Sequence, residues 1–122
     1  MTGSNGFSAR PSALENARLL IIESDLHRTV RMAEVLEQSG GRIVGVASDR
    51  ESALAIAEGE NADFTAVDAA APLGDARRKT ATTVCHLLGT PTLAISLSHD
   101  IHRLRNGFQT RTSFPRTQRD WR

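Results

Sequence analysis

Four short apolar runs, each followed by a stretch of different character, restrict what this chain can fold into more than any other feature. Arg18-Leu-Leu-Ile-Ile22, Ile43-Val-Gly-Val-Ala47, Phe64-Thr-Ala-Val-Asp68 and Thr92-Leu-Ala-Ile-Ser96 have the length and continuous apolar character of strands buried on both faces. Between the first two, residues 26–38 carry Val30, Ala33, Val35 and Leu36 at helical spacing, and Gly40-Gly41 stops the helix just beyond. Ser48 or Asp49 caps a second helix that runs through Ala57 and ends near Gly59, ahead of Asn61-Ala-Asp63. Residues 75–88 read as a third helix, closed by the turn Gly89-Thr-Pro91. Strands joined by helices must run parallel. Short right-handed crossovers then predict an α/β, doubly wound parallel sheet with its functional residues at the C-terminal strand ends.

At 122 residues the chain is large enough to bury one core but not two. Its 39% apolar content matches an ordinary globular protein rather than a disordered or fibrous one. No apolar run approaches the roughly 18 to 20 residues that span a bilayer. Residues 1–17, rich in Ser, Gly, Asn and Ala, lack the basic start and apolar stretch of a secretory signal and read as a flexible leader. The single Cys85 cannot form an internal disulfide, so a reducing cytoplasm is the expected location. Charge divides unevenly, because residues 1–98 hold nine basic and twelve acidic side chains whereas 99–122 hold six Arg and two Asp. Three segments result: the leader 1–17, a folded region 18–98 and a basic C-terminal segment 99–122, in which 107–122 shows no clear strand pattern.

The strand ends hold Glu23, Asp25, Asp68 and Ser96. Carboxylates that converge at one sheet edge repel each other unless a cation intervenes, which suggests Mg²⁺. If a phosphoryl group arrives on one of them, a metal, a hydroxyl and a lysine commonly neutralise its oxygens. The plainer alternative is that these acids sit at solvated strand ends and cap the helices that follow.

These residues resemble the response-regulator receiver family of two-component phosphorelay signalling. Leu19-Leu-Ile-Ile-Glu-Ser-Asp25 is similar to its acidic first-strand motif, and Val67-Asp68 with Pro72-Leu-Gly74 to its phosphoacceptor strand and loop. Val44-Gly-Val-Ala-Ser48, Glu51-Ser-Ala-Leu54 and the run from Pro91 to Ser96 continue the similarity in order, over roughly residues 18–98. The resemblance implies a flavodoxin-like receiver fold and a signalling rather than an enzymatic role. It implies Asp68 as phosphoacceptor, Ser96 as switch hydroxyl, and Glu23, Asp68 itself and the Ala70 carbonyl as ligands of Mg²⁺, with a histidine kinase or another signalling protein as partner.

The sequence departs from that family at four places. Ser24 stands where the principal metal-binding acid is expected, so Mg²⁺ binding is weakened, with Asp25 left to compensate as a ligand. Leu97 follows the switch hydroxyl in place of a small residue and is positioned to cover the approach to Asp68. Lys79 is the only lysine and belongs to the third helix, so the lysine expected at the end of a fifth strand is missing. An Arg from the tail is not its equivalent. The fifth strand and last helix therefore read as missing or altered, which leaves the fourth strand as an edge.

The expected function is thus an atypical receiver module with weak or absent phosphorylation at Asp68. The alternative is a phosphorylation-independent homodimer built on the exposed edge. Nucleic-acid binding by the Arg-rich tail with Phe108, Phe114 and Trp121 ranks lower, since no named motif accompanies it. His27, His86, His99 and His102 are dispersed and read as surface residues. Cys85 reads as packing, and Arg77-Arg-Lys79 as a solvated helix face.

Overall fold

The computed structural model describes residues 14–97 and the strand Thr110–Ser113. In chain order the elements are β1 (Arg18–Ile22), α1 (Leu26–Gln38), β2 (Arg42–Ala47), α2 (Arg50–Gly59), β3 (Phe64–Asp68), α3 (Ala76–Leu88), β4 (Thr92–Ile95) and β5 (Thr110–Ser113). They form one sheet in the order β2-β1-β3-β4-β5. The first four strands are mutually parallel. This is the doubly wound arrangement that the alternation predicts and the flavodoxin-like fold that the resemblance implies, with β1 flanked by β2 and β3.

Because side chains alternate along a strand, β1 feeds two cores. Leu19 and Ile21 pack with Met32, Val35 and Leu36 of α1 and with Ala66, Leu93 and Ile95. Leu20 and Ile22 pack on the opposite face with Ala53 and Ala57 of α2 and Ala81 and Val84 of α3. Helices thus cover both faces, which is why the strands read as unbroken apolar runs. Leu14 and Ala17, assigned to the leader from sequence, join the α1-side core. The Leu14 and Asn16 amides also donate to the Ser39 and Gly40 carbonyls.

Each helix starts on an aspartate whose carboxylate accepts an otherwise unpaired amide hydrogen. Asp25 takes Arg28 N at 2.8 Å, Asp49 takes Ser52 N at 2.8 Å and Asp75 takes Arg77 N at 2.7 Å. Caps of this kind contribute about 1 kcal/mol apiece. At the other end of α3, Gly89 closes the helix at φ 75°, a left-handed conformation that favours glycine.

Gly45 of β2 is required by close approach rather than by its dihedral angles. A Cβ there would lie 2.6 Å from Ile56 Cγ2, on the underside of α2. Gly45→Ala is expected to destabilise the fold by about 1–3 kcal/mol through overpacking. Urea unfolding checks this, and the Gly45→Ala/Ile56→Ala pair should lose less than the sum of the single losses because the clash is relieved.

The fifth strand corrects the sequence reading. Thr110-Arg-Thr-Ser113 pairs antiparallel with β4, placing Thr110 opposite Ile95 and Ser113 opposite Thr92. So β4 is not an edge, and the altered part of the fold is a reversal of strand direction. The segment is polar and has no apolar alternation, so period-based reading passes over it. At an edge, backbone pairing and β-branched threonines are enough to make a strand. The altered last helix falls on residues outside those described, as do His99 and His102.

Candidate functional site

At the C-terminal edge of the sheet, β1 and β3 bring two carboxylates that are almost fully buried to face the same arginine. Glu23 follows β1, held by its own amide donating to the Ala47 carbonyl at 3.0 Å, and its side chain is 1% exposed. Asp68 ends β3 with its side chain 9% exposed. Its Oδ1 accepts from Ala70 N at 2.9 Å, a turn that fixes the β3–α3 loop on its own carboxylate. Ser96 lies one residue past Ile95, the β4 partner of Asp68, and so at the same edge.

The cations that face these acids come from helix starts. Asp25 caps α1 through the Arg28 amide, and the Arg28 side chain reaches the pair. Its Nη1 lies 3.5 Å from Glu23 Oε2 and its Nε 3.5 Å from Asp68 Oδ2. The same device recurs at α3, where Asp75 caps the helix through Arg77 N and also receives Arg77 Nε at 2.8 Å and Nη2 at 3.0 Å. The remaining Arg77 nitrogen, Nη1, donates to Glu23 Oε1 at 2.7 Å. Arg77 thus joins three roles in one residue: cap partner, loop brace and counter-ion. Its hydrogen bonds pull the Asp75 carboxyl down to about 2, and the nearby Arg28 charge adds to that pull. In return the two carboxylates raise the Arg77 guanidinium above its already high value.

Two further arginines brace the rim. Arg78 donates from Nε to the Ala71 carbonyl at 2.8 Å and from Nη2 to the Ala69 carbonyl at 3.1 Å. Arg31 donates from Nη2 to the Leu97 carbonyl at 3.0 Å, tying α1 to the end of β4. Of the segment Arg77-Arg-Lys79, expected to be a solvated face, only Lys79 is exposed; it lines a shallow groove with Arg50, Ala76, Thr80 and Thr83.

The structure therefore brings Glu23 and Asp68 together and sets Ser96 and the Ala70 loop beside them. Asp25 is not brought in, since its carboxylate is turned to the helix cap while its amide donates to Glu23 Oε2 at 3.1 Å. Leu97 is buried in the α1-side core with Leu14 and Met32. Cys85 is buried on α3, where loss of water pushes its thiol up, in keeping with a packing role. His27 and His86 are exposed. Because β5 is reversed, its first residue, Thr110, stands at the acidic edge where a parallel strand would present its last.

The residues present do not fit Mg²⁺. Ser24 is exposed and neutral, Asp25 is used as a cap, and both Glu23 and Asp68 already face guanidinium groups. Among the described residues no group of three or more His, Cys, Asp or Glu is placed to hold a metal. Sequence reasoning misses Arg28 and Arg77, which supply the positive charge instead. The one available signal is their position three and two residues after a capping aspartate that follows a strand end.

A sheet of this order, with its acids at the C-terminal edge and helices on both faces, has the fold of a response-regulator receiver domain, and the chain is receiver-domain-like in its fold. Solved structures agree. The response regulator PhyR from Brucella abortus is similar at 24% identity and a TM-score of 0.58, over 85% of this chain and 41% of that one. Anti-anti-sigma factor PhyR from Bartonella quintana is similar at 17% identity and a TM-score of 0.57, over 85% and 40%. The signal receiver domain of a modulated diguanylate cyclase from Desulfovibrio desulfuricans G20 is similar at 23% identity and a TM-score of 0.53, over 74% and 72%. The chain thus spans about two fifths of the PhyR structures. No family model and no curated protein matches the sequence. Among the described residues no helix is long and apolar enough to cross a membrane.

Proposed function

We propose that this chain is an atypical response-regulator receiver module that regulates a protein partner by contact, with weak or absent phosphorylation at Asp68. One observation carries the reading: Asp68 occupies the end of the third strand of a receiver fold, yet both of its oxygens are engaged. Oδ1 accepts from Ala70 N and Oδ2 faces Arg28. To accept a phosphoryl group, a carboxylate oxygen must be free to attack and a cation must neutralise the incoming oxygens. Here the nearest cation neutralises the carboxylate itself. The PhyR neighbours, named as a response regulator and an anti-anti-sigma factor, support a protein as the partner class, whether a histidine kinase or another signalling protein.

The test is intact mass after incubation of the wild-type chain and of Asp68→Asn with acetyl phosphate and Mg²⁺. The two proteins are expected to behave alike, with no phosphoryl-sized gain in either. A near-complete phosphoryl-sized gain in the wild type that Asp68→Asn abolishes would overturn the weak or absent phosphorylation of this reading.

A second reading, a homodimeric assembly protein, is favoured by β5. Among the described residues it is the outermost strand of the sheet, so one row of its backbone groups faces away from β4. A monomeric mass by light scattering at high protein concentration would exclude it. The nucleic-acid reading rests on tail side chains outside the described residues.

A further inference from the structure

Two cations without counter-ions stand on neighbouring helices. Arg50 is the first residue of α2 and Lys79 lies one turn into α3, and neither is in an ion pair among the described residues. The helices share one core through Ala53, Ala57, Ala81 and Val84. That packing brings Arg50 and Lys79 to a single groove of about 260 Å³, completed by Ala76, Thr80 and Thr83. No carboxylate lines it. The capping acids on either side are committed elsewhere, since Asp49 accepts from Ser52 N and Asp75 is forked by Arg77. Two like charges on one groove repel each other unless an anion joins them.

A second observation points to a ligand independently. Thr80 is the most buried of the lining residues, at 8% exposure, and its hydroxyl has no hydrogen-bond partner among the described residues. A helical threonine ordinarily satisfies its hydroxyl on the carbonyl one turn back. Thr83 does so, donating to the Lys79 carbonyl at 3.0 Å. A buried polar group left unpaired is costly, and native structures give nearly all of them a partner. We infer that this groove is an anion site that takes a phosphate group, inorganic or as a monoester, between Arg50, Lys79 and the Thr80 hydroxyl. A phosphomonoester carries about −1.5 to −2 charge at pH 7 and three acceptor oxygens, which matches two cations and a hydroxyl donor. A carboxylate brings less charge and fewer oxygens. The groove is smaller than the roughly 300–1,000 Å³ of sites that engulf whole small molecules, so it takes the phosphate and leaves the rest of a ligand in solvent. Binding is non-covalent and uses no residue of the acidic edge. It therefore goes beyond the proposed function and stands or falls separately from phosphorylation of Asp68.

Proton–nitrogen NMR titration of the full chain with inorganic phosphate, at low and constant ionic strength, tests this. Saturable shifts are expected at the amides of Arg50, Lys79 and Thr80, and acetate should bind at least roughly tenfold more weakly because it brings less charge. Arg50→Gln and Lys79→Gln should each lower phosphate affinity roughly tenfold, and Thr80→Val roughly fivefold. Thr80→Ser, which keeps the hydroxyl, should stay within about twofold of wild type. Arg50 and Lys79 are exposed, so their variants should keep the wild-type amide spectrum outside the groove, and Thr80→Ser controls for packing at the buried position. O-phosphoserine distinguishes the source of the phosphate. Tighter binding than inorganic phosphate assigns the site to a phosphoester, equal or weaker binding to the free anion, and either supports the inference. No saturable shift in the wild type would overturn it. So would shifts centred away from the groove, equal affinity for acetate, or phosphate affinity unchanged in both Arg50→Gln and Lys79→Gln.

Discussion

Replacing Arg77 with methionine should lower the stability of the folded chain by on the order of 3 kcal/mol, the low end of the cost of breaking a buried ion pair. The low end applies because Glu23, 1% exposed, keeps the more distant Arg28 when Arg77 is gone. Most of the loss is the penalty of leaving a buried carboxylate short of a partner, not the strength of the bond removed. Arg77→Met combined with Glu23→Gln should therefore recover much of the stability, since the amide removes the charge and still accepts from Asp25 N. Urea unfolding of the two single variants and the double variant measures this coupling. A pH dependence accompanies it. Asp75 has its carboxyl lowered from 3.8 to about 2, chiefly by the Arg77 side chain. A depressed carboxyl contributes stability that is fully present above pH 4 and is lost as pH falls through 2. In Arg77→Met that acid-side slope should be shallower but not flat, because the residue 77 amide still donates to Asp75.

Ile21→Ala should cost about 2–5 kcal/mol, a large share of the 5–15 kcal/mol that holds an ordinary domain together. Ile21 is fully buried on β1, between two neighbouring strands, and packs into the core under α1. Rigid parallel strands border it on both sides, so the space left behind has little room to collapse. Leu73→Ala is the matched control. That side chain is 86% exposed on the β3–α3 loop, and its loss should change stability by no more than about 0.5 kcal/mol. Denaturant midpoints at unchanged slope distinguish the two.

Part of the site is legible in the sequence. Glu23 and Asp68 stand out because they end apolar runs that must be parallel strands, and parallel strands bring their C-terminal ends to one edge. Asp25, Asp49 and Asp75 sit where a helix start demands an acceptor, and the structure uses all three as caps. Asp25 shows the limit of that reasoning, for the same residue type at the same edge serves equally as a prospective ligand and as a cap. Arg77 shows another. A basic triplet at a helix start looks like a solvated face, yet two of its three members turn inward, one to Glu23 and one to loop carbonyls.

What this sequence determines by itself is whatever depends on spacing along the chain: the strand–helix alternation, the helix starts and stops, the parallel sheet and the acidic edge. These rest on side-chain periodicity and on hydrogen bonds between residues two to four apart, which a linear string records. Only the tertiary structure decides what neutralises the acids and how the sheet ends. Arg77 and Glu23 are 54 residues apart and become partners only because α3 and β1 are packed on one sheet. The reversed β5 is likewise selected by the unpaired edge of β4, a backbone demand that the polar sequence Thr110-Arg-Thr-Ser113 meets without announcing it. Long-range electrostatics and edge pairing depend on where elements dock, and docking is set by the whole core rather than by any local pattern.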